Sequence, residues 1–185
     1  MGSVKISALL ILLVLLTGCG GMTDDLFPSG SDKQPAVIPG TIGPLPGQIA
    51  PDFTIPDMFG TAVTLSSVIT TTGVQGAVLY FTMWCPICWT HMDDILHVQI
   101  PAFPNVRFYA VDYVNGTLAD VQQSAINTGY YGTALTILAD TQNIVESLYH
   151  GTMGVTVVVD RNGIVRMNED YKDGVRLHTV LTDLP

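Results

Sequence analysis

Cys85-Pro86-Ile87-Cys88 follows Trp84 and the run Ala77-Val78-Leu79-Tyr80-Phe81, and no other stretch limits the fold as tightly. Apolar residues occupy both parities of Ala77–Trp84, the pattern of a strand buried on two faces. Pro86 has no N–H to satisfy and its φ is preset for a first helical turn, so the strand should lead straight into a helix. Two cysteines three apart at that junction face each other across one turn. The first sulfur then sits near the unsatisfied N–H groups and positive dipole end of the helix. Such surroundings stabilise a thiolate, taking a cysteine pKa from about 8.5 to roughly 3.5–7.5. A thiolate beside a second thiol is suited to disulfide exchange, with Cys85 attacking and Cys88 resolving.

The chain has three cysteines, and Cys19 follows another logic. Lys5 precedes the apolar segment Ile6–Leu16, interrupted only by Ser7, and the small residues Thr17-Gly18 lead to Cys19. A basic start, a short apolar core and small residues at its end describe a secretory signal, too short for a membrane span. Leu16-Thr17-Gly18-Cys19 resembles a bacterial lipobox, which implies cleavage before Cys19 and a lipid on its sulfur; an ordinary signal peptide or uncleaved anchor is the alternative. With Cys19 acylated, one dithiol pair remains, as suits an exported protein in an oxidising compartment.

Charge narrows the partners. Losing Lys5 with residues 1–18 takes the formal net charge from −9 to −10. Of the six Lys and Arg that remain, four come after residue 160. Without a basic patch the chain is a poor nucleic-acid binder, and membrane attachment would rest on acyl chains rather than on anionic headgroups. No cofactor is expected, and the protein is expected to act as a monomer.

Residues 19–47 are rich in Gly and Pro with no periodic apolar face, and read as a flexible tether. The folded body, residues 48–185, is long enough for one domain with a sizeable core. Asp52–Asp57 and Ala62–Leu65 read as two short strands around the turn Met58-Phe59-Gly60. After the buried strand, the pattern predicts a helix from Pro86 to about Val98, a strand Val106–Val111 and a helix Leu118–Thr128 closed by Gly129. A short strand Thr136–Ala139 and a helix Thr141–Tyr149 stopped by Gly151 follow. The strands Val155–Val159 and Ile164–Asn168 flank the hairpin turn Asp160-Arg161-Asn162-Gly163. A last helix, Gly174–Leu184, should bury Val175, Val180, Leu181 and Leu184. This order gives an α/β sandwich, parallel crossovers first and an antiparallel hairpin at the end.

Ala50-Pro51-Asp52-Phe53, Thr64-Leu65-Ser66, Tyr80–Cys88 and Val159–Val165 together resemble the thioredoxin-like superfamily, nearest its exported TlpA/ResA-type and redoxin (AhpC/TSA-like) lipoproteins. The resemblance covers roughly residues 48–185. It implies a three-layer sandwich with a mixed central sheet flanked by helices, and thiol–disulfide exchange with protein thiols and disulfides in the bacterial cell envelope, outside the cytoplasm. Cys85 would be the nucleophile, Cys88 the resolving thiol and Trp84 a flank shaping access. Pro86 is shared with some oxidising members.

The chain departs from that pattern in two places. The family's cis-proline opposite the cysteines falls near Gly154, in Thr152-Met153-Gly154-Val155-Thr156. A cis bond before a non-proline residue costs about 2.5–4 kcal/mol, so a trans loop is expected. The buried carboxylate that thioredoxins carry six residues before the first cysteine is replaced by Leu79. Two other chemistries stay open. Cys85, Cys88 and His91 could share one helical face and hold Cu(I) or zinc as in a metallochaperone. Thr82-Met83-Trp84-Cys85 matches the Thr-x-x-Cys of peroxiredoxins, which would make the protein a thiol peroxidase, although the proline expected four residues before the threonine is Val78. Asp93-Asp94 read as a solvated face, and Tyr130-Tyr131 as cover for an edge of the core.

Overall fold

Thr54–Pro56 (β1) pairs antiparallel with Ala62–Thr64 (β2) across a turn in which the Asp57 carboxylate accepts from the N–H groups of Phe59 and Thr61. The computed structural model describes residues 37–185; the leader, Cys19 and the tether up to residue 36 lie outside the described residues. Leu65–Ile69 (α1) comes directly after β2, where the sequence pattern continued the strand through Leu65. Thr64 supplies no side-chain cap. The N-terminal donors are met from a distance, because Asp52 accepts from both the N–H and the hydroxyl of Ser66. A cap that arrives from fourteen residues upstream leaves no local signature.

Gly76–Thr82 (β3) is the middle strand of a mixed sheet. Val106–Asp112 (β4) pairs with it in parallel, and Thr136–Ala139 (β5) in parallel with β4. On its other side Val155–Asp160 (β6) runs antiparallel, followed by Val165–Asp170 (β7), giving the order β5-β4-β3-β6-β7. The hairpin between β6 and β7 is the expected one: Gly163 takes φ 76°, and the buried Asp160 accepts from the N–H groups of Asn162 and Ile164.

Every residue of β3 is buried, and its alternation sorts the core into two layers. Val78 and Tyr80 pack with Pro86–Asp94 (α2), Leu118–Thr128 (α3) and Val175–Thr182 (α5) through Cys88, Met92, Val121, Leu177 and Leu181. Ala77, Leu79 and Phe81 face the opposite layer, where α1 and Ile144–Tyr149 (α4) add Leu65, Ile69, Val145 and Tyr149. Gly151 is bare because it lies flat against the Phe81 ring, where a Cβ would collide. The result is the expected three-layer α/β sandwich.

Local differences have local causes. α2 does not stop near Val98: a π-helical turn, Ile95–Gln99, carries it on to Ala102. Ile100 donates to Ile95 and Phe103 to Gln99, so Pro101 sits where the ladder changes register and needs no donor. α4 starts at Ile144, later than Thr141, because Asp140 accepts from the N–H groups of Ile144 and Glu146 and so caps it there. It ends on His150 in a left-handed conformation. In α5 Leu177 is buried and Val175 is 65% exposed, so the apolar stripe begins two residues later than expected. Of the residues assigned to the tether, Gly47 donates to Val165 and the Pro44 carbonyl accepts from Asn168, which ties the stretch just before the body to β7.

Candidate active site

β3 ends at Thr82, and Cys85 is the N-cap of α2 with extended backbone dihedrals. Its sulfur accepts the N–H of Cys88 at 3.2 Å. Cys85 is half-buried and Cys88 fully buried, with the two sulfurs 2.7 Å apart as free thiols. One sulfur is therefore partly open to solvent and the other lies behind it. These are the two residues that the sequence reading singled out as nucleophile and resolving thiol.

The two thiols titrate as a pair, where the sequence reading considered Cys85 and the helix alone. Burial disfavours charge on Cys88, but donors from the Cys85 thiol, the Met83 and Cys85 backbones and the Thr82 hydroxyl outweigh it and hold Cys88 below its ordinary value. Burial and that same pairing with Cys88 lift Cys85. The helix amides do act on Cys85, as expected, yet a thiol 2.7 Å away counts for more. The first thiolate belongs to the pair, stabilised by the thiol that keeps its proton.

Trp84 takes φ 61°, in the left-handed region that a bulky residue rarely enters. Its N–H donates to Thr82 Oγ1 at 3.1 Å, and its indole Nε1–H to Asp112 Oδ2 at 2.8 Å. Asp112 is the last residue of β4, in register with Thr82, and is fully buried. It also accepts from Val114, Asn115 N–H and Asn115 Nδ2. Sequence reading gave Asp112 no role. The available signal was that two parallel seven-residue strands finish at one sheet edge beside the cysteines.

The loop opposite the cysteines brings Met153 onto Cys85, with its thioether sulfur 3.3 Å from the Cys85 sulfur. Gly154 follows with φ 86°, and its N–H donates to the Phe81 carbonyl at 3.0 Å. Among the described residues no peptide bond is cis. Leu79, at the position of the missing acid, is buried in the layer facing away from Cys88.

His91 is half-buried and points inward. Tyr80 Oη lies 3.0 Å from its Nδ1, and the Tyr171 ring lies against the imidazole with centroids 4.7 Å apart. Among the described residues no group of three His, Cys, Asp or Glu could hold a metal ion, so Cys85, Cys88 and His91 are not brought together as ligands. Thr82 serves Trp84 and Cys88 rather than Cys85. The adjacent carboxylates are acceptors for tyrosines, where the sequence reading had a solvated face: Asp93 takes the hydroxyl of Tyr130, and Asp94 those of Tyr171 and the Gln99 amide. Tyr130 is buried in the core as expected, while Tyr131 is exposed and edges onto Phe59.

Known structures share this fold. A candidate protein disulfide isomerase from Bacteroides thetaiotaomicron is 23% identical, with TM-score 0.60 over 75% of this chain and 86% of that one. DsbF of Mycobacterium tuberculosis (MTB) is 25% identical, with TM-score 0.55 over 70% and 94%. A secreted M. tuberculosis disulfide oxidoreductase homologous to E. coli DsbE is 20% identical, with TM-score 0.54 over 71% and 96%. No curated protein matches the sequence. The AhpC/TSA family profile matches residues 46–168, the stretch that carries the central sheet and both cysteines. A thioredoxin-like body with a paired thiol at the head of α2 thus has its family: the chain belongs to the AhpC/TSA family.

Proposed function

We propose that this protein is a thiol–disulfide oxidoreductase that exchanges disulfides with protein partners outside the cytoplasm. The observation that carries this reading is the division of labour at the dithiol, a half-exposed Cys85 backed by a fully buried Cys88 at 2.7 Å. Cys85 attacks a partner disulfide to form a mixed disulfide, and Cys88 displaces the partner thiolate, leaving Cys85–Cys88 oxidised. The reverse sequence oxidises a partner dithiol. Exposed Met83, Ile87 and Met153 beside Cys85 supply an apolar rim suited to an extended peptide. One similar structure is of a secreted disulfide oxidoreductase homologous to E. coli DsbE, which supports the extracytoplasmic assignment.

Trp84 and Pro86 flank the nucleophile and Gly154 lines the facing loop. Acylation of Cys19 would hold the body at the membrane; among the described residues no helix is long and apolar enough to span a bilayer. Two or more acyl chains give a stable hold where one is marginal.

The deciding experiment is a redox titration of residues 37–185 against glutathione, with insulin reduction and dithiol-peptide oxidation as activity readouts. A reversible two-electron couple, and turnover abolished by Cys85→Ser, is expected. Unchanged turnover in Cys85→Ser would remove the proposal. Faster turnover of hydrogen peroxide than of any disulfide would move the protein to the thiol peroxidases. Mass spectrometry of the N-terminus of the native protein tests the anchor, with diacylated Cys19 as first residue expected.

A further inference from the structure

Met153 is held against Cys85 by the backbone of its own loop. The Val155 N–H donates to the Thr152 carbonyl and closes a turn with Met153 second and Gly154 third. A φ of 86° at that third position suits a glycine. The Gly154 N–H donates to the Phe81 carbonyl in β3, and the Gly154 carbonyl accepts from Tyr171. Pinned on both sides, the turn keeps the Met153 sulfur 3.3 Å from that of Cys85, which is in turn 2.7 Å from that of Cys88. The three sulfurs stand in series from surface to interior: Met153 is 40% exposed and Cys88 has no exposed surface.

That series matters when an oxidant arrives. With the dithiol oxidised, Cys85 and Cys88 are bonded to each other and neither offers a thiolate. The Met153 thioether stays open. Peroxide converts an exposed thioether to a sulfoxide, which is polar and chiral. At this position the change spoils the apolar rim that Met153 forms with Met83 and Ile87. The side of the thioether against Cys85 is covered by that sulfur, so oxygen adds on the outer side. The S–O bond then points away from Cys85, the alignment that displacement by a thiol needs. A separation of 3.3 Å lies within the roughly 3–3.5 Å from which two held atoms react without a bimolecular encounter.

We propose that Cys85 and Cys88 reduce Met153 sulfoxide within the same molecule, an intramolecular sulfoxide reductase activity. The inference rests on the oxidoreductase reading above, because it needs a redox-active pair. Hydrogen peroxide first gives one oxygen to the Met153 thioether and leaves as water. After the dithiol is next reduced, Cys85 Sγ forms a bond to Met153 Sδ and the S–O bond breaks. The oxygen departs as water with the two thiol protons. Cys88 Sγ then forms a bond to Cys85 Sγ, the Cys85–Met153 bond breaks, and its electron pair returns to the thioether. Met153 is reduced by two electrons and the dithiol oxidised by two. The site emerges with its apolar rim restored and its disulfide formed.

The test starts from protein oxidised to its Cys85–Cys88 disulfide with glutathione disulfide, then treated with hydrogen peroxide. Met83, 45% exposed, is the internal control. Once peptide mass spectrometry finds sulfoxide at both methionines, the peroxide is removed, the disulfide is reduced with a brief pulse of phosphine, and the protein is desalted. Aliquots are then alkylated and mapped over time. Sulfoxide at Met153 should disappear one for one with the return of the Cys85–Cys88 disulfide, the mass falling by one water. The rate should be independent of protein concentration and at least about a hundredfold above that at Met83, reflecting the held geometry. In Cys85→Ser the sulfoxide at Met153 should last as long as that at Met83. Equal lifetimes at the two methionines in wild type with both thiols free overturn the inference, as does a rate proportional to protein concentration or a Met153 that peroxide leaves untouched. A dithiol that forms no disulfide with glutathione disulfide, before any peroxide is added, overturns the oxidoreductase reading instead.

Discussion

Asp112 holds Trp84 in a backbone conformation that the residue would otherwise avoid, through a 2.8 Å bond from the indole N–H to a carboxylate with no exposed surface. A left-handed non-glycine residue costs on the order of 1–3 kcal/mol. Here that cost falls on the residue immediately before Cys85, so the clamp fixes where α2 begins and where the Cys85 sulfur points. Trp84→Phe removes one buried hydrogen bond and should lower stability by about 1 kcal/mol. Asp112→Ala should cost more, about 2–4 kcal/mol, because it also strands the N–H groups of Val114 and Asn115. A double-mutant cycle by urea unfolding should show coupling between the two; strict additivity would mean that the bond contributes nothing.

Gly151 gives a packing prediction with the same logic of close approach. A Cβ there would meet the Phe81 ring, which is itself fully buried in β3. Gly151→Ala should destabilise by about 1–3 kcal/mol, the usual range for overpacking. Phe81→Leu in the same chain should recover part of the loss. A Gly151→Ala protein with the wild-type denaturation midpoint would show that the loop yields freely.

Much of this could be read in the sequence, and the reasons are specific. β3 announced itself by an unbroken apolar run and α2 by Pro86 at its first position; α3 was bounded by Gly129, and the last hairpin by Asp160 and Gly163. These signals lie within a few residues of what they control. What escaped the sequence depended on contacts across the chain. Asp52 caps a helix fourteen residues away, Asp112 reaches Trp84 from the neighbouring strand, and Tyr80 meets His91 from the next element. The coupling of the two thiols was likewise invisible to a reading that weighed Cys85 against the helix alone.

Asp52 makes a prediction for acid stability. Burial works against its charge, but the Ser66 hydroxyl, the Ser66 N–H and the Phe53 N–H outweigh that and hold the carboxyl below its ordinary value. A lowered folded-state pKa means that the unfolded chain binds the proton first as pH falls. The stabilisation is thus fully present above about pH 4, the unfolded value, and is lost as pH drops through the folded one. In Asp52→Asn the fall in thermal midpoint between pH 4.5 and 2.5 should be shallower than in the wild type. An identical slope in the two proteins would assign acid sensitivity to other groups.

Met153 bears on how Cys85 meets its partner. Its thioether sulfur lies 3.3 Å from the Cys85 sulfur, and the side chain is 40% exposed, so it both covers the sulfur and can swing aside. An unbranched thioether adapts readily to a new neighbour. Met153→Ala should therefore speed alkylation of Cys85 by iodoacetamide, since the shield is gone and a favourable contact to the protonated thiol is lost. The dithiol–disulfide potential should change little, because Cys85 and Cys88 keep each other and the helix amides. Turnover with a peptide disulfide should fall even as alkylation rises, through loss of apolar surface at the rim. Those opposite signs separate a residue that grips the partner from one that only blocks the way, because a mere shield would let both rates increase.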